Sequence, residues 1–268
     1  MQQQEAHEWD SYFTVKPTSA DVLTEKWNMH YFYVPRTKGM PDWDIIPAIE
    51  MTNHILPDNG ELTGDVAADD DLKVSYKMAW DTENLYLRVE VEDDHFVTSP
   101  QLWDKAQSEN ALWLHDGALE VYIDTAADGR SNAEKTFDDD DYRYDFAIAK
   151  DLQPGAATVN RFRAVYHQLA DGIHMPTKEE AAEKVIADFA ITDRGYCYTI
   201  MFGQRYIEPL ALEVGFTSGF AIYLHDKDDG ALGYCSKGMS LASVPGARCD
   251  YKPHLWPLMI LSGKTALE

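Results

Sequence analysis

Acidic side chains recur where alternating apolar runs of this sequence end. Asp94 closes the run of residues 84–94, Asp116 precedes the run of residues 119–124, and Asp226 and Asp228 follow the run of residues 219–225. Convergent carboxylates repel one another, and Ca²⁺ relieves that repulsion by taking six to eight oxygen ligands. We therefore expect a structural calcium site with Asp116, Asp226 and Asp228 as ligands and Asp94 as a further candidate. The alternative is an ordinary solvated acidic surface.

Three histidines lie beside acidic residues, namely His95, His115 and His225. If their loops converge, imidazole and carboxylate groups could hold zinc or copper. None of them shows the short spacing that places two histidine ligands on one element. The interpretation we prefer is that they are partly exposed residues without a metal.

The charge balance limits the partners. Lys and Arg total 23 against 46 for Asp and Glu, which gives a formal charge of −23. Such a surface repels phosphate backbones and anionic lipids, so we expect neither nucleic acid nor a membrane as partner. No apolar run approaches the roughly 20 residues of a membrane span.

The expected localisation follows from the two ends of the sequence. The sequence contains no apolar leader segment, which leaves a cytoplasmic protein or an exported one without its leader. Met1 and the final Leu267 and Glu268 resemble added terminal residues. We therefore expect a secreted or periplasmic protein. The oligomeric state is left open.

Period-two alternation dominates the chain. Residues 74–94 predict a β-hairpin, in which apolar positions alternate with polar ones and Asp81 begins the turn. Further strands are predicted at residues 119–123, 143–148, 162–167, 185–191, 196–202, 220–224 and 258–261. Helical signal is confined to residues 177–184 and a turn at 204–212. The fold class is therefore all-β, an antiparallel, jelly-roll-like β-sandwich with few short helices.

The chain is expected to bury one core. Residues 42–268 are assigned to the sandwich and residues 1–41 to an N-terminal extension packed on it, because alternation is weak before residue 42. The inward side of each alternating run should form the core between the sheets. The predicted core residues are Leu87, Val89, Val121, Ile123, Phe146, Ile222 and Leu224.

Three cysteines permit one disulfide. Cys235 and Cys249 are the preferred pair because both lie in loop-like sequence. Cys197 lies within a predicted strand, and we expect it to be a buried thiol.

Five sequence blocks resemble, in order, the family 9 carbohydrate-binding modules. The resemblance covers residues 42–261 and rests on AWDTENLYLRVEVEDD (79–94), DGALEVYID (116–124), DDDYRYDFAIA (139–149), GFAIYLHDKDDG (219–230) and LWPLMIL (255–261). The resemblance implies a β-sandwich that holds a sugar, often a chain end, between two tryptophans, with structural calcium nearby.

Site residues follow from that resemblance. Trp113 matches the first tryptophan, Glu120 a polar residue on the next strand, and Arg143 an arginine that bonds sugar hydroxyls. An aromatic ring stacks on the apolar face of a pyranose, while a carboxylate and a guanidinium satisfy its hydroxyls. Each residue also has an ordinary structural interpretation: Trp113 as a core aromatic, Glu120 as a solvated residue, and Arg143 as an ion-pair partner of the acidic run 138–141.

The second tryptophan of the family pattern is missing. Tyr234 stands in that region and is our candidate for the second platform. Trp256 begins the final strand and is expected in the core, and Trp103 is an alternative platform.

Three function classes are compatible with the sequence. The first is a non-catalytic module that binds a neutral mono- or oligosaccharide within a secreted glycan-degradation system. The second is a haem-binding sandwich, with Met78 or Met201 as an axial ligand beside a His or Lys. The third is a glycan-active enzyme using Glu120 and Asp145 as acid and base, which we rank last because outward-facing residues should be too exposed for a raised pKa.

Overall fold

The computed structural model describes residues 31–51, 54–55, 72–96, 116–129, 140–147, 161–165, 185–226, 237–240 and 253–267. These residues form two β-sheets that pack against each other. Their strands are β1 (Tyr31–Val34), β2 (Ile49–Glu50), β3 (His54–Ile55), β4 (Leu72–Trp80), β5 (Asn84–Asp93), β6 (Leu119–Asp124), β7 (Asp141–Ala147), β8 (Arg161–Val165), β9 (Val185–Thr192), β10 (Gly195–Gly203), β11 (Thr217–Asp226), β12 (Lys237–Ser240) and β13 (Leu258–Leu261). The prediction of an all-β sandwich is confirmed.

The five-stranded sheet has the order β2-β4-β5-β10-β9 and is antiparallel throughout. Its centre is the predicted hairpin, in which Val74 pairs with Val91 and Trp80 with Leu85. Asp81 organises the turn, because its Oδ1 atom accepts the backbone N–H groups of Glu83 and Asn84, both at 2.8 Å. The polar run between the two apolar runs thus supplies the turn chemistry that the sequence predicted.

The eight-stranded sheet has the order β1-β13-β11-β6-β7-β8, with β12 beside the second half of β11 and β3 beside β12. β1 runs parallel to β13, and the other pairs are antiparallel. β1 falls within the predicted extension of residues 1–41, whose first 30 residues lie outside the described ranges. The domain boundary at residue 42 stays a prediction.

The core lies between the two sheets. All seven predicted core residues are buried and belong to a single apolar cluster. Aromatic rings fill much of the remaining space, as where Phe32 packs edge-on against both Tyr76 and Phe220. The period-two pattern therefore identified the inward side of these strands correctly.

The expected solvent exposure of the opposite side is wrong for β6. Every residue of this strand is buried, including Glu120 and Asp124. β6 occupies the middle of the eight-stranded sheet, and its outer side lies beside Tyr223 of β11 and Arg143 of β7. A second buried cluster, made of Tyr122, Ala221, Tyr223 and Trp256, covers part of that side.

The sequence also made predictions about helical segments and cysteines. A 3-10 turn occupies Gln204–Tyr206, within the predicted turn, whereas the predicted helix at 177–184 lies outside the described residues. Cys197 is buried, and burial raises the pKa of its thiol. Cys235 and Cys249 also lie outside the described ranges. Within those ranges no helix is long and apolar enough to cross a membrane.

Candidate functional site

The outer side of the eight-stranded sheet carries two carboxylates directly opposite each other. Glu120 of β6 pairs with Asp145 of β7, so their side chains lie on the same side of the sheet. Like charges in such a cross-strand pair are destabilising. Arg143 offsets this repulsion, because its guanidinium contacts both carboxylates.

Arg143 binds Asp145 through two hydrogen bonds. Its Nε donates to Oδ1 at 2.6 Å and its Nη2 to Oδ2 at 3.1 Å, and Nη2 also donates to Oε1 of Glu120. The exposed fraction is 3% for Arg143, 4% for Glu120 and 1% for Asp145. Charge-assisted bonds with this planar geometry fix the orientation of the guanidinium.

Two further side chains surround Glu120. The Tyr122 hydroxyl donates to Oε2, and His225 Nε2 lies 3.2 Å from Oε1. The contact between His225 and Glu120 is an ion pair when the imidazole is protonated. We name the group formed by Glu120, Tyr122, Arg143, Asp145 and His225 the polar cluster.

Electrostatics keep Glu120 ionised. Burial raises the pKa of this carboxyl, but the positive charges of Arg143 and His225 and the bonds from His225 and Tyr122 outweigh burial and lower the pKa to about 2. The exposure expected for Glu120 from the sequence is wrong, because this residue is buried. A general acid needs a raised pKa, and the neighbours of Glu120 act in the opposite direction.

Aromatic side chains adjoin the polar cluster. The Arg143 guanidinium lies 5.9 Å from the centroid of the Tyr122 ring, and the Trp256 and Tyr122 rings pack with their centroids 5.4 Å apart. Trp256 is fully buried, as predicted, although it lies on the outer side of the sheet and not between the sheets.

Three aspartates converge at one edge of the sandwich. Oxygen atoms of Asp93, Asp116 and Asp226 all lie within 4.8 Å of one another. Asp116 and Asp226 are buried, and Asp93 is partly buried with its Oδ2 atom inaccessible to solvent. We name these three residues the acidic triad. Three hard oxygen donors at this separation suit Ca²⁺.

Neighbouring groups define the space around the acidic triad. Tyr196 is buried and its hydroxyl makes no hydrogen bond within the described residues. Burial raises the pKa of Tyr196, and so do the negative charges of Asp116, Asp93 and Asp226. Gly117 has a φ of +68°, and a Cβ atom there would lie 2.8 Å from the Tyr196 hydroxyl. The tyrosine oxygen therefore lies close beside the backbone that follows Asp116.

Sequence reasoning chose Asp94 and missed Asp93. Leu87, Val89 and Val91 face the core, and the same parity puts Asp93 on the inward side. Asp94 follows the end of β5 and is exposed. The alternation of the strand contained the signal that identifies Asp93.

A second acidic group lies at the far end of β6 and includes Asp124, Asp128 and Asp140. The Asp124 carboxylate accepts the backbone N–H groups of Asp128 at 3.2 Å and Gly129 at 2.9 Å. Asp140 accepts the N–H of Ala126 at 2.7 Å. These bonds show carboxylates that organise a loop, and we assign no ion to this group.

Several sequence-predicted site residues lie outside the described ranges: Trp103, Trp113, His115, Asp228 and Tyr234. Of the others, Glu120 and Arg143 are in direct contact, and Asp116 and Asp226 come together in the acidic triad. His95 is exposed, and neither potential metal-binding group in the described part of the chain contains a histidine.

The two methionines considered as haem ligands lie on opposite sides of one sheet. Met78 belongs to the buried core between the sheets. Met201 follows the core residue Ile200 on β10 and so points to the other side.

Comparisons with known proteins agree on the fold. A family model described as carbohydrate family 9 binding domain-like matches residues 51–231. A family 9 module from Caldicellulosiruptor kristjanssonii in complex with cellotriose has a TM-score of 0.56 and 13% identity, covering 87% of this chain and 94% of that chain. The same kind of module from that organism in complex with glucose has a TM-score of 0.57 and 12% identity, covering 88% and 97%. No match was found among curated proteins. Because the family model spans more than half of the sequence, this chain belongs to the carbohydrate family 9 binding domain-like family.

Proposed function

We propose that this protein is a non-catalytic module that binds a neutral mono- or oligosaccharide at the polar cluster. The observation that carries the proposal is the Arg143 guanidinium fixed between Glu120 and Asp145 on the outer side of the eight-stranded sheet. A guanidinium offers up to five donors and a carboxylate about four acceptor positions, which together match the hydroxyl groups of a sugar.

The low exposure of the polar cluster shapes how a sugar would bind. With Glu120 and Arg143 almost fully buried, a sugar would contact only the outermost atoms of their side chains. Those atoms are already held in place by their neighbours, so little side-chain entropy is lost on binding. Trp113 and Tyr234 are proposed to supply the aromatic surfaces for the apolar faces of the sugar ring.

We further propose that the acidic triad binds a structural calcium ion, with Asp228 as an additional ligand. Asp93 comes from the five-stranded sheet, whereas Asp116 and Asp226 adjoin strands of the eight-stranded sheet. An ion held by all three would connect the two sheets and relieve the repulsion among their carboxylates.

The biological setting we propose is a secreted or periplasmic system for glycan degradation. Membership of the carbohydrate family 9 binding domain-like family supports it, as do the sugars bound by the similar modules. Fractionation of the native host with an antibody to this chain would test the location; a purely cytoplasmic signal would contradict it.

A glycan array run with and without calcium, followed by calorimetric titration with glucose and cellotriose, tests the binding function. We expect modest affinity for at least one neutral sugar. Trp113→Ala should abolish most of the binding, whereas Trp103→Ala should leave it unchanged. Absence of heat with every neutral sugar would overturn the function, and a loss confined to Trp103→Ala would move the aromatic platform to that residue.

A further inference from the structure

The polar cluster and the acidic triad share two short segments of chain. Asp116 lies four residues before Glu120, and His225 directly precedes Asp226 at the end of β11. These segments are tied together by backbone hydrogen bonds of 2.9 Å from Gly117 N–H to the His225 carbonyl and from His225 N–H to the Ala118 carbonyl. The two groups therefore belong to one hydrogen-bonded piece of sheet.

Alternation along β11 sends neighbouring side chains to opposite sides of that piece. Phe220, Ile222 and Leu224 face the core, so Asp226 continues the inward side and reaches the acidic triad. His225 takes the outer side, where its Nε2 lies 3.2 Å from Glu120. Because His225 and Asp226 are adjacent in β11, a shift of the strand end that brings Asp226 toward a cation would change the distance between His225 and Glu120.

The side chain of His225 is closely packed. It is buried, and its ring packs against Tyr223 with centroids 4.6 Å apart. Tyr223 pairs across the sheet with Glu120 itself. In this poorly solvated setting a small change in the distance between His225 and Glu120 alters their interaction more than it would in water.

We propose that His225 is a positioning residue that orients Glu120 for sugar binding and couples this orientation to cation binding at the acidic triad. The inference rests on the sugar and cation functions proposed above. Coupling between two binding sites is reciprocal: calcium must raise the affinity for sugar by the same factor by which sugar raises the affinity for calcium.

The test is calorimetric titration of cellotriose into calcium-saturated and EDTA-treated protein at one pH, together with titration of calcium in the presence and absence of cellotriose. We expect calcium to tighten cellotriose binding by about tenfold, within the usual range of coupling between sites. His225→Leu, which keeps the bulk and removes the ring nitrogens, should reduce this ratio to near one. His225→Gln, which restores a donor, should recover most of it.

Tyr122→Phe is the matched control. It removes a bond to the same Glu120 carboxylate from a residue that does not adjoin the acidic triad. We expect it to weaken cellotriose binding equally with and without calcium, so that the ratio is preserved. A purely structural role of His225 would instead lower the melting temperature while leaving the ratio intact.

These experiments distinguish a failure of the coupling from a failure of sugar binding or calcium binding. Cellotriose binding that is equal with and without calcium in the wild type overturns the coupling and leaves the sugar function standing. A full ratio in His225→Leu overturns the role of His225 in that coupling and likewise leaves the sugar function standing. No binding of calcium overturns the coupling together with the calcium site. No binding of cellotriose overturns the coupling, whereas the sugar function is overturned only if glucose and the other neutral sugars also fail to bind. If His225→Leu does not fold, equal calcium affinities with and without cellotriose in the wild type still overturn the coupling.

Discussion

The carboxylates of Asp93 and Asp226 come from different sheets of the sandwich and place oxygen atoms within 4.8 Å of each other. Both occupy the inward parity of their strands, at the ends of β5 and β11. A pair of like charges at the edge between two sheets opposes their association unless a cation or proton compensates it. From this relationship we expect divalent cations to stabilise the sandwich.

The first prediction concerns calcium and stability. Calcium at about 100 times its dissociation constant should add roughly 2.7 kcal/mol to the free energy of unfolding, because it binds only the folded state. For a domain of this size we expect the melting temperature to rise by about 5–10 °C. Asp93→Asn should remove most of the rise, whereas Asp94→Asn, which alters the exposed neighbour, should retain it. Thermal melts by circular dichroism, with and without EDTA, measure the calcium-dependent rise in melting temperature for each variant. Equal rises in the two variants would exclude Asp93 as a ligand.

A second prediction concerns the core between the sheets. Truncating the buried Val121 or Phe146 to Ala should lower the free energy of unfolding by about 2–5 kcal/mol, because each change leaves a cavity among packed neighbours. Ile186→Ala is the control, since this side chain is 49% exposed and should change stability by less than about 0.5 kcal/mol. Chemical denaturation supplies the values, and similar losses in core and control variants would contradict the packing described here.

Acid should destabilise the protein through Glu120. Its pKa is about 2 in the folded chain and 4.5 ordinarily, so its ionised form stabilises the fold fully above pH 4.5. That stabilisation, up to roughly 3 kcal/mol, is lost as the pH falls from 4.5 through 2. Glu120→Gln should therefore show a shallower decline of unfolding free energy across this window. Glu83→Gln, which changes an exposed carboxyl, is the control, and its free energy of unfolding should depend on pH as in the wild type. If the free energy of unfolding of Glu120→Gln declines as steeply as that of the wild type, the acid sensitivity belongs to other groups.

Arg143→Lys is expected to weaken sugar binding by about tenfold or more. Lysine keeps the positive charge but cannot reproduce the planar two-bond contact with Asp145. Arg88→Lys changes the same side chain at a partly exposed ion pair with Glu90 on the other sheet. This control should bind sugar with wild-type affinity by calorimetry. Unchanged sugar affinity in Arg143→Lys would show that the guanidinium does not contribute to sugar binding.

Gly117 provides a steric test of the region beside the acidic triad. Gly117→Ala introduces a Cβ atom 2.8 Å from the Tyr196 hydroxyl at a φ of +68°. Gly39→Ala carries a similar backbone strain, with φ at +86°, but meets no atom within 4 Å. We expect both variants to lose about 1 kcal/mol from strain, and Gly117→Ala to lose more and to bind calcium less tightly. If denaturant titration gives equal losses of unfolding free energy for the two variants, the Tyr196 side chain must move to accommodate the added Cβ atom.

The sequence alone determined the all-β class and the inward side of most strands. Period-two alternation specifies which side of a strand is apolar, and the predicted core residues Val121, Phe146 and Ile222 are indeed buried. The turn at Asp81 could also be predicted from the sequence, because the Asp81 side chain bonds the backbone only two residues further on. Glu120 and Arg143 were singled out through family resemblance, and their contact could not be read from their separation in the chain.

Only the tertiary structure decided what covers the outer side of β6 and which acidic residues meet. Alternation distinguishes two sides of a strand but does not show whether the polar side faces water, since that depends on the position of the strand in the sheet and on neighbours such as Trp256. Asp226 lies more than 100 positions after the other two residues of the acidic triad, and Asp93 belongs to the other sheet, so their convergence depends on strand order and sheet packing. Strand parity in the sequence already places Asp93, and not Asp94, on the inward side, but the opposing sheet decides that Asp93 meets Asp116 and Asp226.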